Sequence, residues 1–298
     1  MAKKHEETTT VQTETPPAPQ GIQVIGSNAM IPMDLADDME QYAGAGTSDR
    51  REENVIPFLR VLQKTSPQVN KKDPAYVEGA EPGLLYNTAS RRLIKAEDPG
   101  TGPLALQAHA DMYEVEWIPR AAGGGFVAQH PIDTPLLKEV MEVPNPQDPT
   151  GKRTIRMLPN GHQLVTTAYH YLVMVDTLEA VVLGLSSTGL QTHRAWNTML
   201  RNKKLRGRNG LIIAPSFATV VRLRTFWQQN ERGDWYSLAV EDEGFVTAEQ
   251  RDAYEEAKKF FNLAMAGELK AATPPDDDAA TTINGSAEDP GEGDDSPL

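Results

Sequence analysis

The sequence predicts an α+β protein rich in strands: a curled antiparallel sheet or small barrel, two or three helices packed on it, and a disordered arm at each end. Three observations carry this. Short segments alternate apolar and polar residues with the period of a half-buried strand, as where Tyr113, Val115 and Trp117 interleave with Glu114 and Glu116. Two later segments place apolar residues at helical spacing behind recognisable caps. Residues 1–53 and 269–298 hold too few large apolar groups to offset their ordering entropy, which leaves 54–268 as a single folded core.

The elements follow in order. Val55 to Leu62 is an apolar opening segment, and Pro82-Gly83 is a turn dipeptide leading through Leu84, Leu85 and Tyr86 into a hairpin connection at Asn87 to Ser90. Short strands are expected at 103–108 and 111–118, and Gly123-Gly124-Gly125 marks a loop. The proline-rich stretch 131–161 reads as a long excursion with a short helix around 135–142. His162 to Val175 reads as a long strand, turned by Asp176 to Glu179 into a second at 180–186. Ser187 or Thr188 then caps a helix running to about 203. Phe217 to Gln228 and Trp235 to Val240 are paired strands around a loop at 230–234. Thr247 to Gln250 is a capping box opening a helix to about 266, with Gly267 at the stop position. An OB-like (oligonucleotide-binding) barrel is one architecture of this kind, and the pattern alone does not choose among them.

Composition narrows the chemistry. The chain has no cysteine, which removes disulfides, zinc-thiolate sites and thiol nucleophiles and suits a reducing, cytoplasmic setting. The N-terminus lacks an apolar leader, and no run approaches the ~18 apolar residues of a membrane span. The net charge of -13 would argue against a polyanionic partner, but its distribution reverses that reading. Residues 271–298 carry -8 without one cation, in Asp276, Asp277, Asp278, Glu288, Asp289, Glu292, Asp294 and Asp295. Residues 186–232 carry +8, with Glu231 their only acid.

That basic segment supplies the candidate site. Arg194, Asn197, Arg201 and Lys204 recur at spacings that stack them on one helix face. Lys203 to Gly210 follows as a basic loop with Lys203, Lys204, Arg206 and Arg208, whose glycines let its backbone approach a phosphate. In the next strand Arg222, Arg224 and Phe226 project to one side and Val221, Leu223 and Trp227 to the other. Two guanidinium groups and an aromatic ring on one face can pair with phosphates and stack a base. The competing explanation is a solvated face of an ordinary helix and hairpin. Trp227, Trp235 and Tyr236 are expected in the core, on the buried side of their strands.

Enzyme signatures are scarce, and none is expected to operate. There is no GxxxxGK[ST] loop, no GxGxxG after a strand and no HExxH, and Leu185 to Gly189 lacks the GxSxG elbow. The histidines, His162 and His170 among them, are expected to be structural or surface groups rather than metal ligands. Glu114 and Glu116 share a strand face with the look of a solvated edge, so neither metal nor cofactor is expected.

The hairpin from Phe217 to Gln228, its return through Gly233 to Tyr236, the basic loop before it and the tail from Asp276 to Leu298 together resemble phage-encoded single-stranded DNA-binding proteins. Ile56 to Gln63 with Gly83 to Thr88 is also similar to an N-terminal segment of uncharacterised phage proteins. The resemblance implies an OB barrel and a non-catalytic protein that coats single-stranded DNA in phage replication or recombination. Arg194, Arg201, Lys203, Lys204, Arg206, Arg208, Arg222 and Arg224 would meet phosphates, while Phe226 and Trp196 would stack bases. The acidic tail would compete for the groove and recruit replication or recombination proteins. Such tails often end in an aromatic residue, whereas this one ends in Leu298. The alternative from another class is a virion or assembly protein whose basic patch binds another protein, and a third reading is a strand-annealing or nuclease-accessory factor.

Overall fold

The structure is a computed structural model that describes residues 55–146, 153–208, 210–230 and 233–269, with scattered positions between 21 and 42. The acidic tail therefore lies outside the described residues. The chain divides into two compact units, Met1–Thr47 and Ser48–Leu298. In the first, β1 (Gly21–Gln23) pairs antiparallel with β2 (Met30–Pro32), a ribbon too short to signal itself in the sequence.

The second unit opens with a small antiparallel sheet of β3 (Leu59–Val61), β4 (Leu85–Asn87) and β5 (Leu93–Ile94). The main sheet begins with β6 (Leu104–Ile118), one continuous strand where the sequence suggested two. It continues through β7 (Gly125–Pro131), β8 (Met141–Pro144), β9 (Thr154–Met157), β10 (Gln163–Met174) and β11 (Ala180–Ser186). The stretch read as an irregular excursion thus contributes β8 and β9, and its helix is only a 3-10 turn at Pro135–Lys138. Helix α1 (Gly189–Asn202) follows, then a hairpin of β12 (Lys204–Gly207) and β13 (Gly210–Ile213). The long pair β14 (Thr219–Asn230) and β15 (Gly233–Phe245) returns to the main sheet, and α2 (Arg251–Met265) closes the described chain.

The main sheet is antiparallel and runs β15, β14, β6, β10, β9, β8, with β7 paired to β6 and β11 to β10. The expectation of a strand-rich antiparallel fold with packed helices holds, but no sheet among the described residues closes into a barrel. The packing gives a reason. Neighbours on one strand, Leu172 and Val173 or Val181 and Val182, enter different apolar clusters. One cluster takes Trp196 and Leu200 of α1, and the other takes Ala253, Ala257 and Phe260 of α2. The sheet is therefore covered on both faces, and β10 is buried along almost its whole length. A small barrel would instead gather one apolar face around its axis.

Local chemistry sets the joints. The capping box at Thr247 and Gln250 is formed, with the Thr247 side chain accepting from Glu249 and the Gln250 side chain from the Thr247 N–H, and Gly267 ends α2 at a φ of 71°. Thr188 stands at the N-cap of α1 but makes no side-chain capping bond. The small sheet is tied to β14 by Thr225, whose hydroxyl donates to the Gly83 carbonyl at 2.6 Å. Gly83 has a φ of 91°, and a Cβ there would lie 2.6 Å from the Tyr236 ring, so glycine is demanded twice over.

Candidate nucleic-acid interface

The ten residues singled out from sequence separate into three groups. Arg194 and Arg201 are exposed on α1, and Lys204, Arg206 and Arg208 are exposed on the hairpin that follows. None of these five forms an ion pair with a described residue. The expected basic loop is thus a two-stranded ribbon, with Lys204 opposite Ile213 and Arg206 opposite Leu211. Its return strand exposes Leu211, Ile212 and Ile213.

The second group is committed elsewhere. Arg222 donates through Nε to Glu243 at 2.6 Å and through Nη1 to the carbonyls of Gly100 and Gly102 at 2.9 and 2.8 Å. Arg224 donates to Glu241 at 2.5 Å and lies 5.7 Å from the Phe226 centroid. Lys203 pairs with Asp242 and sits over the Phe245 ring. Burial pushes the Asp242 carboxyl up, but Lys203 and the Gly244 N–H outweigh it and hold it below its ordinary range. The face assignment on β14 was right for Arg222, Arg224, Val221 and Leu223, yet the pairing strand brings its own acids to the arginines. As an open phosphate platform this face is corrected: the cations there are already neutralised.

The third correction concerns rings. Trp196 is 1 % exposed and stacks on His170 at 4.2 Å and 9°, so it cannot stack a base. Trp227, expected in the core, is 48 % exposed and stands near the end of β14. Its indole N–H donates to Asp234 at 3.1 Å, and Lys64 holds that carboxylate below its usual range. Trp235 and Tyr236, also expected in the core, are only half-buried. Trp235 donates to Ser237, which in turn donates to Gln228 at 2.7 Å.

These side chains build a groove that sequence reasoning missed. Phe226, Trp227 and Trp235 supply its rings, and Gln191, Gln228 and Gln229 its amides. The signal was present in the aromatic and amide run from Phe226 to Asn230, but only the folded structure brings it against the start of α1. Arg194 lies one turn beyond Gln191 on the same helix, and Arg201 two further turns on. Helix α1 therefore carries a groove residue near its start and two of the five exposed cations farther along, and the other three stand on the hairpin that follows it.

Two buried polar clusters occupy other positions. Glu114 and Glu116 were read as a solvated edge, but both are buried. Glu114 pairs with Arg156 and accepts from Thr166 at 2.9 Å. Glu116 lies 2.6 Å from His162 Nδ1 and 2.8 Å from His130 Nε2, and Asn160 donates to it at 3.2 Å. Burial raises the Glu116 carboxyl, and these bonds together override that and bring it below its ordinary value. Among the described residues no group of three His, Asp or Glu is arranged to hold a metal ion. No described helix is long and apolar enough to cross a membrane.

The fold is thus a non-barrel antiparallel sheet with a helix on each face, an aromatic groove and a basic ribbon. Residues 26–270 match the family of Pam3 phage gp34-like proteins, and the chain belongs to that family. No curated protein and no solved structure matches it.

Proposed function

We propose that this phage-family protein is a non-catalytic binder of single-stranded DNA, acting in replication or recombination within the infected cell. The carrying observation is that Arg194, Arg201, Lys204, Arg206 and Arg208 stand exposed without a described carboxylate partner, on the helix and hairpin that lead away from the Phe226, Trp227 and Trp235 groove. Arg194 and Arg201 stand two turns apart on α1, about 11 Å, and the hairpin carries three further cations, enough together for several phosphates. Rings at one end stack bases and cations along the rest meet phosphates. The cationic part of the site carries no sequence information, because phosphate contacts position the strand without reading its bases. The acidic residues Asp276 to Asp295 compete with DNA for these cations and offer a contact for partner proteins. The relation to OB-type single-stranded DNA-binding proteins is in this reading one of function and charge layout. Fluorescence anisotropy of a labelled oligo(dT) tests it: Arg201→Glu with Lys204→Glu and Arg206→Glu abolishes binding at low salt, while an unchanged affinity refutes the proposal.

A second reading, a virion or assembly protein, is favoured by one observation: Leu211, Ile212 and Ile213 are exposed beside the same cations. A mixed apolar and basic ribbon is suited to an acidic protein surface. Copurification with particles that is lost in Ile212→Lys, with oligonucleotide binding absent throughout, selects it.

A further inference from the structure

Beside the aromatic groove, and sharing Thr188, Thr192, Trp235 and Ser237 with it, lies a cavity of about 150 Å³. It sinks between β3, β11, the start of α1 and β15 to reach Trp117 and Tyr169, which are 3 % and 2 % exposed. Phe58, Leu183 and Leu185 complete an apolar interior, and hydroxyl groups of Thr167, Ser186, Thr188, Thr192 and Ser237 stand along its walls and mouth. A cavity of this size takes up one six-membered ring: about 150 Å³ lined with apolar side chains holds a benzene molecule. Purely apolar walls would suit a hydrocarbon. Hydroxyls, which donate or accept as required, suit a ring edged with carbonyl and N–H groups.

We propose that this cavity receives a single pyrimidine base from the bound strand, leaving its sugar and phosphate at the mouth. The proposal rests on the single-strand reading above and adds a base-class preference to it. The mouth opens directly onto the ring groove, so a strand stacked on Trp227 and Trp235 can turn one base inward without leaving the surface. A purine, with its second ring, is a poorer match to a space of the size that one benzene ring fills. Thr192 and Ser237 donate to the Leu238 carbonyl and to Gln228 and keep lone pairs to accept from the ring N–H or amino group of thymine or cytosine, so both are accommodated. Gln63 keeps the mouth in shape: its amide donates to the Tyr236 carbonyl at 2.8 Å and accepts from the Tyr236 N–H at 2.9 Å.

The test uses the full chain. Oligo(dT) carrying 5-iododeoxyuridine is photocrosslinked and the attachment sites are mapped by mass spectrometry, alongside titrations with oligo(dT), oligo(dC) and oligo(dA). The expected result is crosslinking to Trp117 or Tyr169, and affinity for both pyrimidine strands about tenfold above oligo(dA), the scale of one well-stacked base. Leu185→Phe, which adds bulk to the cavity wall at a residue the groove does not share, should erase that preference and leave oligo(dA) binding intact. Melting curves verify that the variant folds, and the crosslink map of the unaltered protein stands independently of it. Crosslinks confined to Phe226 and Trp227, or a preference that survives Leu185→Phe in a folded variant, overturn the cavity proposal while single-strand binding stands. No binding of any oligonucleotide at low salt overturns both.

Discussion

His170 Nε2 lies 2.9 Å from His193 Nδ1, inside the layer between the sheet and α1. The chain of bonds extends at both ends, from His170 Nδ1 to Gln107 at 2.8 Å and from Asn197 to His193 Nε2 at 3.1 Å. A consistent set of donors exists only when both rings are neutral: Asn197 donates to His193, His193 to His170, and His170 to Gln107. Burial, helped by the neighbouring His193, pushes His170 down to about 3, and burial with the Arg194 charge lowers His193.

The first prediction follows from that sign. A histidine whose folded pKa is depressed contributes stability fully above its unfolded value, near 6.5, and loses it as pH falls toward about 3. The loss is roughly 1.4 kcal/mol per pH unit across that window. Melting temperature should therefore decline steadily below pH 6.5, before most carboxylates titrate, and His170→Gln should flatten that early decline. A melting temperature constant from pH 6.5 to 5 in the unaltered protein contradicts the assignment.

Glu116 gives a second acid limb at lower pH. Its carboxyl is held below its ordinary value, so its contribution is present above about 4.5 and is lost as pH falls below it. Glu116→Gln cannot accept from two histidines and Asn160 as a carboxylate does, and should cost about 1–3 kcal/mol at neutral pH by chemical denaturation.

Arg222 should behave as a structural residue. Arg222→Ala strips the Gly100 and Gly102 carbonyls and Glu243 of a shared donor, at a cost of about 1–3 kcal/mol, with oligonucleotide affinity nearly unchanged. Leu223→Ala, from the fully buried face, should cost about 2–5 kcal/mol. Loss of binding in Arg222→Ala without loss of stability would show that the Glu243 pair opens to accept phosphate.

Tryptophan emission separates the groove from the core. Oligo(dT) should quench the unaltered protein, Trp227→Phe should remove a large share of that quenching, and Trp196→Phe should not, because only the first ring is exposed. Quenching that vanishes with Trp196→Phe alone would move the interface to the other side of α1.

Deleting 271–298 removes a charge of -8 tethered to the same chain as the basic ribbon. Tethering raises its local concentration, and screening weakens its attraction as salt rises. Affinity for oligo(dT) should therefore increase at low salt and converge with the full chain toward molar salt, as measured by anisotropy. Equal affinities at low salt contradict competition by the tail.

Much of the fold was legible where one period governed a segment. The period of two along Val221 to Arg224, the capping box at Thr247 and the stop at Gly267 were read correctly because each depends on neighbours in sequence. What was not legible depends on register. Nothing local reveals that Glu241 and Glu243 lie diagonally across from Arg224 and Arg222, so a charge count over 186–232 overstated the free cations there. Trp196 and Trp227 exchanged roles for the same reason. Helix spacing cannot tell which face meets the sheet, and strand alternation cannot tell that Trp227 lines an open groove rather than the core. The continuous burial of β10 likewise requires knowing that a helix lies on each face, the fact that separates this layered sheet from the expected barrel.

The most direct test of the single-strand reading is the salt dependence of oligo(dT) binding by the full chain. If Arg194, Arg201, Lys204, Arg206 and Arg208 each meet a phosphate, log affinity falls linearly with log salt, by about 0.7 per phosphate neutralised and so by roughly 3.5 for all five. Neutralising one of them, Lys204→Gln, should reduce that slope by about 0.7 while leaving measurable binding. An affinity indifferent to salt, or no binding even at low ionic strength, contradicts the account.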